Sequence, residues 1–149
     1  MIYYINIGSN LGNPIINIQK AIGCISLSFR IMDKSDIFLS KAQFIDTKLY
    51  DFANIAIKIT STLSPLPLLA KLQEIENLFN ITKEKHWKNR ILDLDIVQCE
   101  KISVRTKTLC IPHKQNLDRD FVLLPLSQLE KKFQVKIVVK YIYGVMKLK

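Results

Sequence analysis

The sequence predicts an α+β sandwich, a mainly antiparallel sheet with helices packed on it. Three observations carry this. Short β-branched and aromatic runs that alternate in polarity recur along the chain, as half-buried strands do. Two longer stretches, starting at Asn13-Pro14 and Ser64-Pro65, instead repeat apolar residues at three and four behind a cap residue and a proline. In order these elements read strand, helix, strand, strand, helix, strand. That is the order of a ferredoxin-like fold, here extended at the carboxyl end.

The first strand is Ile2–Ile7, and it runs into the turn-forming cluster Gly8-Ser9-Asn10-Leu11-Gly12. No Lys follows Gly12 where a G-x-x-x-x-G-K phosphate loop needs one. Ile15, Ile18, Ala21, Ile22 and Ile25 form the apolar stripe of the first helix, which is expected to run to Cys24 or Leu27. One strand is expected within Phe29–Ser40, with Ile37 and Phe38 facing inward, and residues 41–51 read as a loop. Phe52–Ile59 alternates Ile55, Ile57 and Ile59 against Asn54, Ala56 and Lys58. The second helix carries Leu68, Leu69, Leu72, Ile75 and Phe79, with Glu76 beside the stripe, where an acid taken alone reads as solvated. Thr82–Asn89 is a charged loop whose Trp87 is either a core anchor or a plate for a planar ligand, the anchor being favoured. Ile102–Ile111 suggests another strand, and Asp118–Leu124 a short helix interrupted at Pro125. After Leu129 only a weak alternation remains, a strand or a tail.

At 149 residues the chain is expected to form one domain, residues 1–149. Folding at that size buries roughly 70% of the unfolded surface, enough for a core. The formal charge of +9 favours polyanions, but Lys supplies 18 of the 22 basic residues, and they are scattered as on a solvated surface. The three cysteines form no C-x-x-C pair and are expected to be reduced thiols. Met1–Ile7 lacks the basic start of a secretory signal, and the apolar run Ile59–Ala70 falls short of the ~20 residues of a membrane span. The expectation is a cytoplasmic monomer with neither a membrane nor a nucleic acid as partner.

The chemistry concentrates between His86 and Val97. In Arg90–Val97, Leu92, Leu94 and Ile96 share one parity, and Asp93 and Asp95 the other. A strand would bury the three aliphatics and stand both carboxylates on one face, roughly 7 Å apart. Such a pair suits Mg²⁺, which takes one or two carboxylates and completes its shell with water and phosphate. An isolated D-x-D is more often just a polar strand face, so its context has to decide. Arginine is rare here, and Arg90 precedes Asp93 by three residues while Arg119 follows His113 by six. Carboxylates, fork-shaped cations and a histidine together describe a site for a metal-bound polyphosphate.

Trp87-x-x-Arg90-x-x-Asp93-Leu94-Asp95-Ile96, followed by Pro112-His113, Arg119-x-Phe121-Val122-Leu123-x-Pro125-Leu126, resembles 6-hydroxymethyl-7,8-dihydropterin pyrophosphokinase of folate biosynthesis. Ile7–Gly12, Phe52-x-Asn54 and Ile75-Glu76 match upstream motifs in the same order, so the resemblance runs from the first strand to about Leu129. It implies a ferredoxin-like fold and a magnesium-dependent transfer of pyrophosphate from ATP to the pterin hydroxymethyl group, releasing AMP. It further implies that Asp93 and Asp95 hold two Mg²⁺ and, with Arg90 and His113, carry the reaction. Phe52 and Phe121 would sandwich the pterin and Asn54 read its amide edge, with Ser40 and Trp87 also on that side. Gln73, Lys83, Trp87, Arg90, Ile96, His113 and Arg119 would line the ATP.

The sequence departs from that family in its loops. Lys88-Asn89 stands where the family has Gly-Pro, and Asn80-Ile81-Thr82-Lys83 where it has Gly-Arg-x-Arg. Ser40-Lys41-Ala42-Gln43 lacks the usual Thr-Pro and Gly. Losing one transition-state donor costs about 10²–10³ in rate. The departures therefore predict ordinary ligand affinity with a depressed catalytic step, or at the limit an inactive relic. A second alternative is an RNA-recognition domain, which shares this strand order. It ranks below because Tyr50-Asp51 stands where a basic residue and Gly are wanted, and RNA readers have no use for an acidic pair.

Overall fold

The computed structural model describes residues 1–40, 52–79, 90–114, 117, 119–136 and 145–148. The expected loops at 41–51 and 82–89, with Lys83 and Trp87, lie outside these residues. The elements are β1 (Ile2–Ser9), α1 (Pro14–Ser28), β2 (Arg30–Lys34), β3 (Ile37–Ser40), β4 (Phe52–Thr60), α2 (Pro65–Phe79), β5 (Asp93–Cys99), β6 (Val104–Arg105), β7 (Cys110–Ile111), α3 (Asp120–Leu129) and β8 (Val145–Leu148).

The main sheet runs β5-β1-β4-β3-β8, with β2 also on β4, and every pairing is antiparallel. This is the ferredoxin-like arrangement expected from the strand order. The sheet has two covered faces. Tyr3, Ile5 and Ile7 of β1, Ala53, Ile55, Ile57 and Ile59 of β4, and Leu94 and Ile96 of β5 pack against Ile18, Ala21 and Ile25 of α1 and Leu68, Leu72 and Ile75 of α2. The opposite parity (Tyr4, Ala56 and Val97) meets Val122 and Leu126 of α3 and Phe133. The alternation that marks the strands thus distributes them between two cores.

Local chemistry sets the start of α1 as expected. Pro14 opens it, and the Asn13 side chain accepts from the Ile16 N–H at 3.2 Å. The helix runs on to Ser28.

Three expectations need correction. The single strand in Phe29–Ser40 is two, β2 and β3, both on β4. Ser35 separates them: its N–H donates to the Ala56 carbonyl and its hydroxyl accepts from the Ala56 N–H, so a side chain replaces part of the backbone ladder. Ile102–Ile111 is a hairpin of β6 and β7, closed by the Thr106 N–H donating to the Leu109 carbonyl, a turn with no Gly, Pro or Asn to announce it. The helix at Asp120 continues through Pro125 to Leu129. A proline there forfeits only the bond to the Phe121 carbonyl, and its ring is buried in the core. In the tail, Lys131–Lys136 is a 3₁₀ helix and Val145–Leu148 adds a strand beside β3. Among the described residues no helix is long and apolar enough to cross a membrane.

Candidate active site

Strand register brings the site together on the α3 face. Phe38, Asn54, Gly8 and Asp93 form one row across β3, β4, β1 and β5, and Ala56, Asn6 and Asp95 form the next. Leu94 and Ile96 point to the α1/α2 core, so Asp93 and Asp95 stand on the opposite face, as the alternation requires. Phe52, with the parity of Asn54, pairs with Ser40 one row further out. Phe121 packs from α3 against the same face. The residues expected on the metal side and those expected on the pterin side are therefore neighbours, joined through Gly8.

Gly8 matters because it has no side chain. A Cβ there would stand 3.2 Å from Asn54 Oδ1 and 3.9 Å from Asp93 Cβ. The floor between amide and carboxylate is thus bare backbone, open to a ligand lying across both.

The glycine-containing loop after β1 has a different role. Its Asn10, fully buried, accepts the Arg90 N–H on Oδ1 at 2.7 Å and donates its own N–H to the Arg90 carbonyl at 3.1 Å. Arg90 is thereby pinned at the head of β5, where its guanidinium pairs with Asp93. Arg119 lies over the Phe121 ring at 5.8 Å, and its charge also reaches Asp93. The two forks flank one carboxylate. Even so, burial and the neighbouring Asp95 charge outweigh them and hold the Asp93 carboxyl above its ordinary range, while Asp93 raises Arg90 further. A bound cation would offset this penalty on the Asp93 carboxylate.

Glu76, read from sequence as a solvated acid, has a structural partner. β5 is an edge strand, and its Leu94 N–H, midway between the two aspartates, donates to Glu76 Oε1 from α2. Burial raises the Glu76 carboxyl to about 7, with Asp93 and Asp95 adding to the shift. The His113 N–H donates to the Val97 carbonyl at 2.9 Å, which ties the segment after β7 to β5.

The remaining expected ATP-side residues are placed less directly. Gln73 is exposed on α2, three residues before Glu76 and so on the same side of that helix. The Ile96 side chain belongs to the α1/α2 core, leaving only its backbone for a ligand. Trp87 and Lys83 lie outside the described residues, as does the side chain of Ser40.

Among the described residues, two buried polar atoms on this face have no partner, Asn54 Nδ2 and Asn6 Oδ1. Each such atom costs about 1–3 kcal/mol unless something outside the chain satisfies it. Asn54 is among the residues the sequence points to. Gly8 and Asn10 enter the sequence reading only as members of a motif, with no role, and Asn6 does not enter it, although an Asn inside an aromatic and β-branched strand is itself unusual.

Comparison with known proteins bears on the family. The family model for 7,8-dihydro-6-hydroxymethylpterin-pyrophosphokinase matches residues 4–131. The 2-amino-4-hydroxy-6-hydroxymethyldihydropteridine pyrophosphokinase of Haemophilus influenzae is 35% identical over 127 residues, covering 85% of this chain and 79% of that protein. The Bacillus subtilis protein of the same name is 31% identical over 130 residues, covering 86% and 77%. The bifunctional protein FolKE of Lactococcus lactis is 33% identical over 127 residues, which are 85% of this chain and 36% of FolKE, so this chain spans about a third of that relative. A solved HPPK-DHPS chain in complex with substrates has a TM-score of 0.70, covering 99% of this chain and 46% of that one, and at 14% identity it speaks to fold alone. Fold and sequence converge, and the chain belongs to the 7,8-dihydro-6-hydroxymethylpterin-pyrophosphokinase family.

Proposed function

We propose that the chain transfers the pyrophosphoryl group of ATP to 6-hydroxymethyl-7,8-dihydropterin, giving AMP and the pterin diphosphate in folate biosynthesis. The observation that carries this is the pair of adjacent rows Asn54–Gly8–Asp93 and Asn6–Asp95, which set an amide reader beside two carboxylates with bare backbone between. Phe52 and Phe121 stack on the pterin, and the unpartnered Asn54 Nδ2 donates to its carbonyl edge. Arg90 and Arg119 neutralise phosphate oxygens, while His113, Gln73, the Ile96 backbone, Lys83 and Trp87 line the nucleotide.

Asp93 and Asp95 fit Mg²⁺ by donor type and by number, since phosphate and water complete its octahedron. Among the described residues no third His, Cys, Asp or Glu joins them. Bound Mg²⁺, two ions as the family resemblance implies, would offset the polyphosphate charge and draw it from the bond that breaks. In the transfer, the hydroxymethyl oxygen bonds to the β-phosphorus, the bond to the bridging oxygen of the α-phosphate breaks, and AMP leaves with that electron pair. The hydroxyl proton passes to solvent. Positioning and charge neutralisation are the main demands of such a reaction.

The test is AMP formation from ATP, Mg²⁺ and the hydroxymethyl dihydropterin. Product that depends on all three is the expected result. Pterin and Mg-ATP binding without AMP would identify an inactive member of the family.

A further inference from the structure

Asn6 occupies the middle of β1, opposite Ala56 on β4 and Asp95 on β5. Its side chain lies on the α3 face, because Tyr4 packs there while Ile5 and Ile7 pack on the other. It is 5% exposed, and its Oδ1 meets no donor among the described residues. Asparagine is a poor strand residue. Packing does not require it either, since its neighbour Ala56 shows that this row accommodates a small apolar side chain against α3. Among the described residues nothing satisfies the Asn6 oxygen, which leaves it available to a ligand.

Its position limits what that donor is. Residues directly opposite on antiparallel strands have Cβ atoms about 5 Å apart, so Asn6 and Asp95 share one small volume. A carboxylate beside a lone acceptor attracts cations and strong donors. Mg²⁺ brings both, because it retains several waters whose O–H groups are polarised by the metal. A neutral amide oxygen accepts from such a water without adding a third negative charge to Asp93 and Asp95.

We propose that Asn6 is a positioning residue whose side-chain oxygen accepts a hydrogen bond from a water carried by the divalent cation at Asp95. This rests on the reading of Asp93 and Asp95 as cation ligands. Groups that hold the ligands and waters around a metal typically contribute 10–100-fold to its affinity.

The experiment is a calorimetric titration of Mg²⁺ into the full chain with α,β-methylene-ATP, whose scissile bond is blocked. Wild type, Asn6→Ala, Asn6→Ser and Asp95→Asn are compared, and each is melted without metal or nucleotide. Asn6→Ala should weaken Mg²⁺-linked binding by about 10–100-fold. The same variant should melt no lower than wild type when ligand-free, because it removes an acceptor that had no donor. Asn6→Ser keeps an acceptor on a shorter arm and should recover part of the binding. In ¹⁵N-labelled wild type, the Asn6 side-chain amide signal should shift when Mg²⁺ is added with the analogue.

Asn6→Ala that fails to fold or melts lower, with wild-type Mg²⁺ dependence in whichever variant folds, would make Asn6 structural and overturn the inference. Asp95→Asn separates this from the underlying reading. Loss of Mg²⁺ dependence in Asp95→Asn but not in Asn6→Ala removes only the role of Asn6. Retention in both removes the cation site itself.

Discussion

The α3 face of the sheet carries two polar clusters that obey opposite rules. At one end, Tyr4, Lys58, Glu100, Glu130 and Lys132 satisfy one another. The Tyr4 hydroxyl lies 3.0 Å from Glu100 and 2.9 Å from Glu130, Lys58 pairs with Glu130, and Lys132 reaches the Tyr4 oxygen at 3.4 Å. At the other end, Asn6 and Asn54 carry buried atoms with no partner among the described residues, and Asp93 is held above its ordinary pKa. Between them lie Ala56 and Val97 under α3. The same strands build both ends, so fold does not explain the difference. A closed network ties α3 and the 3₁₀ helix to the sheet, whereas an open one spends stability that only a ligand returns.

Breaking the open end should have the largest effect. Asp95→Asn removes one of two fixed negative charges where Mg²⁺ is proposed to bind. It should abolish Mg²⁺-dependent nucleotide binding and cost more than the 10²–10³ in rate typical of one transition-state donor. AMP formation at the wild-type rate in this variant would remove the site assignment. Gly8→Ala is milder. Its methyl meets Asn54 Oδ1 at 3.2 Å, so Asn54 has to give by a few tenths of an ångström and the floor rises under the ligand. Pterin affinity should fall about tenfold, the size of effect that ~1.4 kcal/mol produces, while melting temperature changes little. Equal pterin binding by fluorescence titration would show that the ligand does not lie across Gly8.

Much of this arrangement is legible in the sequence. Period-two alternation places Asp93 and Asp95 together on one face and Leu94 and Ile96 on the other, since a strand permits nothing else. The two cap-and-proline signals locate α1 and α2. What the sequence hides is long-range. The parity of Asn6 can be read, but not its register against Asp95, which depends on how β1 pairs with β5. Gly8 looks like a turn residue because its contact with Asn54 exists only in the assembled sheet. Glu76 looks solvated because its partner is a backbone N–H on another element, and backbone donors leave no mark in composition. The β6–β7 turn lacks Gly, Pro and Asn, so a hairpin passes for a strand.

Breaking the closed end should leave chemistry alone and cost stability. Tyr4→Phe deletes the one hydroxyl proton shared between Glu100 and Glu130 and leaves a buried ring. The protein should lose about 1–3 kcal/mol, seen as a lower urea midpoint, with the rate of AMP formation unchanged at a temperature where both proteins are folded. A fall in rate without a fall in stability would mean that the two clusters communicate through α3.

The smallest effect sharpens the comparison at its boundary, on Glu76. In the unfolded chain this carboxyl loses its proton near 4.5, but in the metal-free folded protein near 7, chiefly because it is buried. Between those values the native state holds a proton that the unfolded chain has released. Raising the pH therefore favours unfolding: the native state bears no penalty below 4.5 and bears it in full above 7. Each pH interval of one across that window is worth about 1.4 kcal/mol, and solvent access to the site reduces what is realised to roughly 1 kcal/mol in all. Glu76→Gln stays neutral at every pH and keeps a side-chain carbonyl to accept the Leu94 N–H. In EDTA its stability should match wild type near pH 4.5 and exceed it by that amount at pH 7.5. Asp93 adds a slope of the same sign to both proteins, so the difference between the two urea-unfolding curves isolates Glu76. Curves that run parallel from pH 4.5 to 7.5 would mean that Glu76 is ionised throughout and that its bond to the Leu94 N–H outweighs its burial.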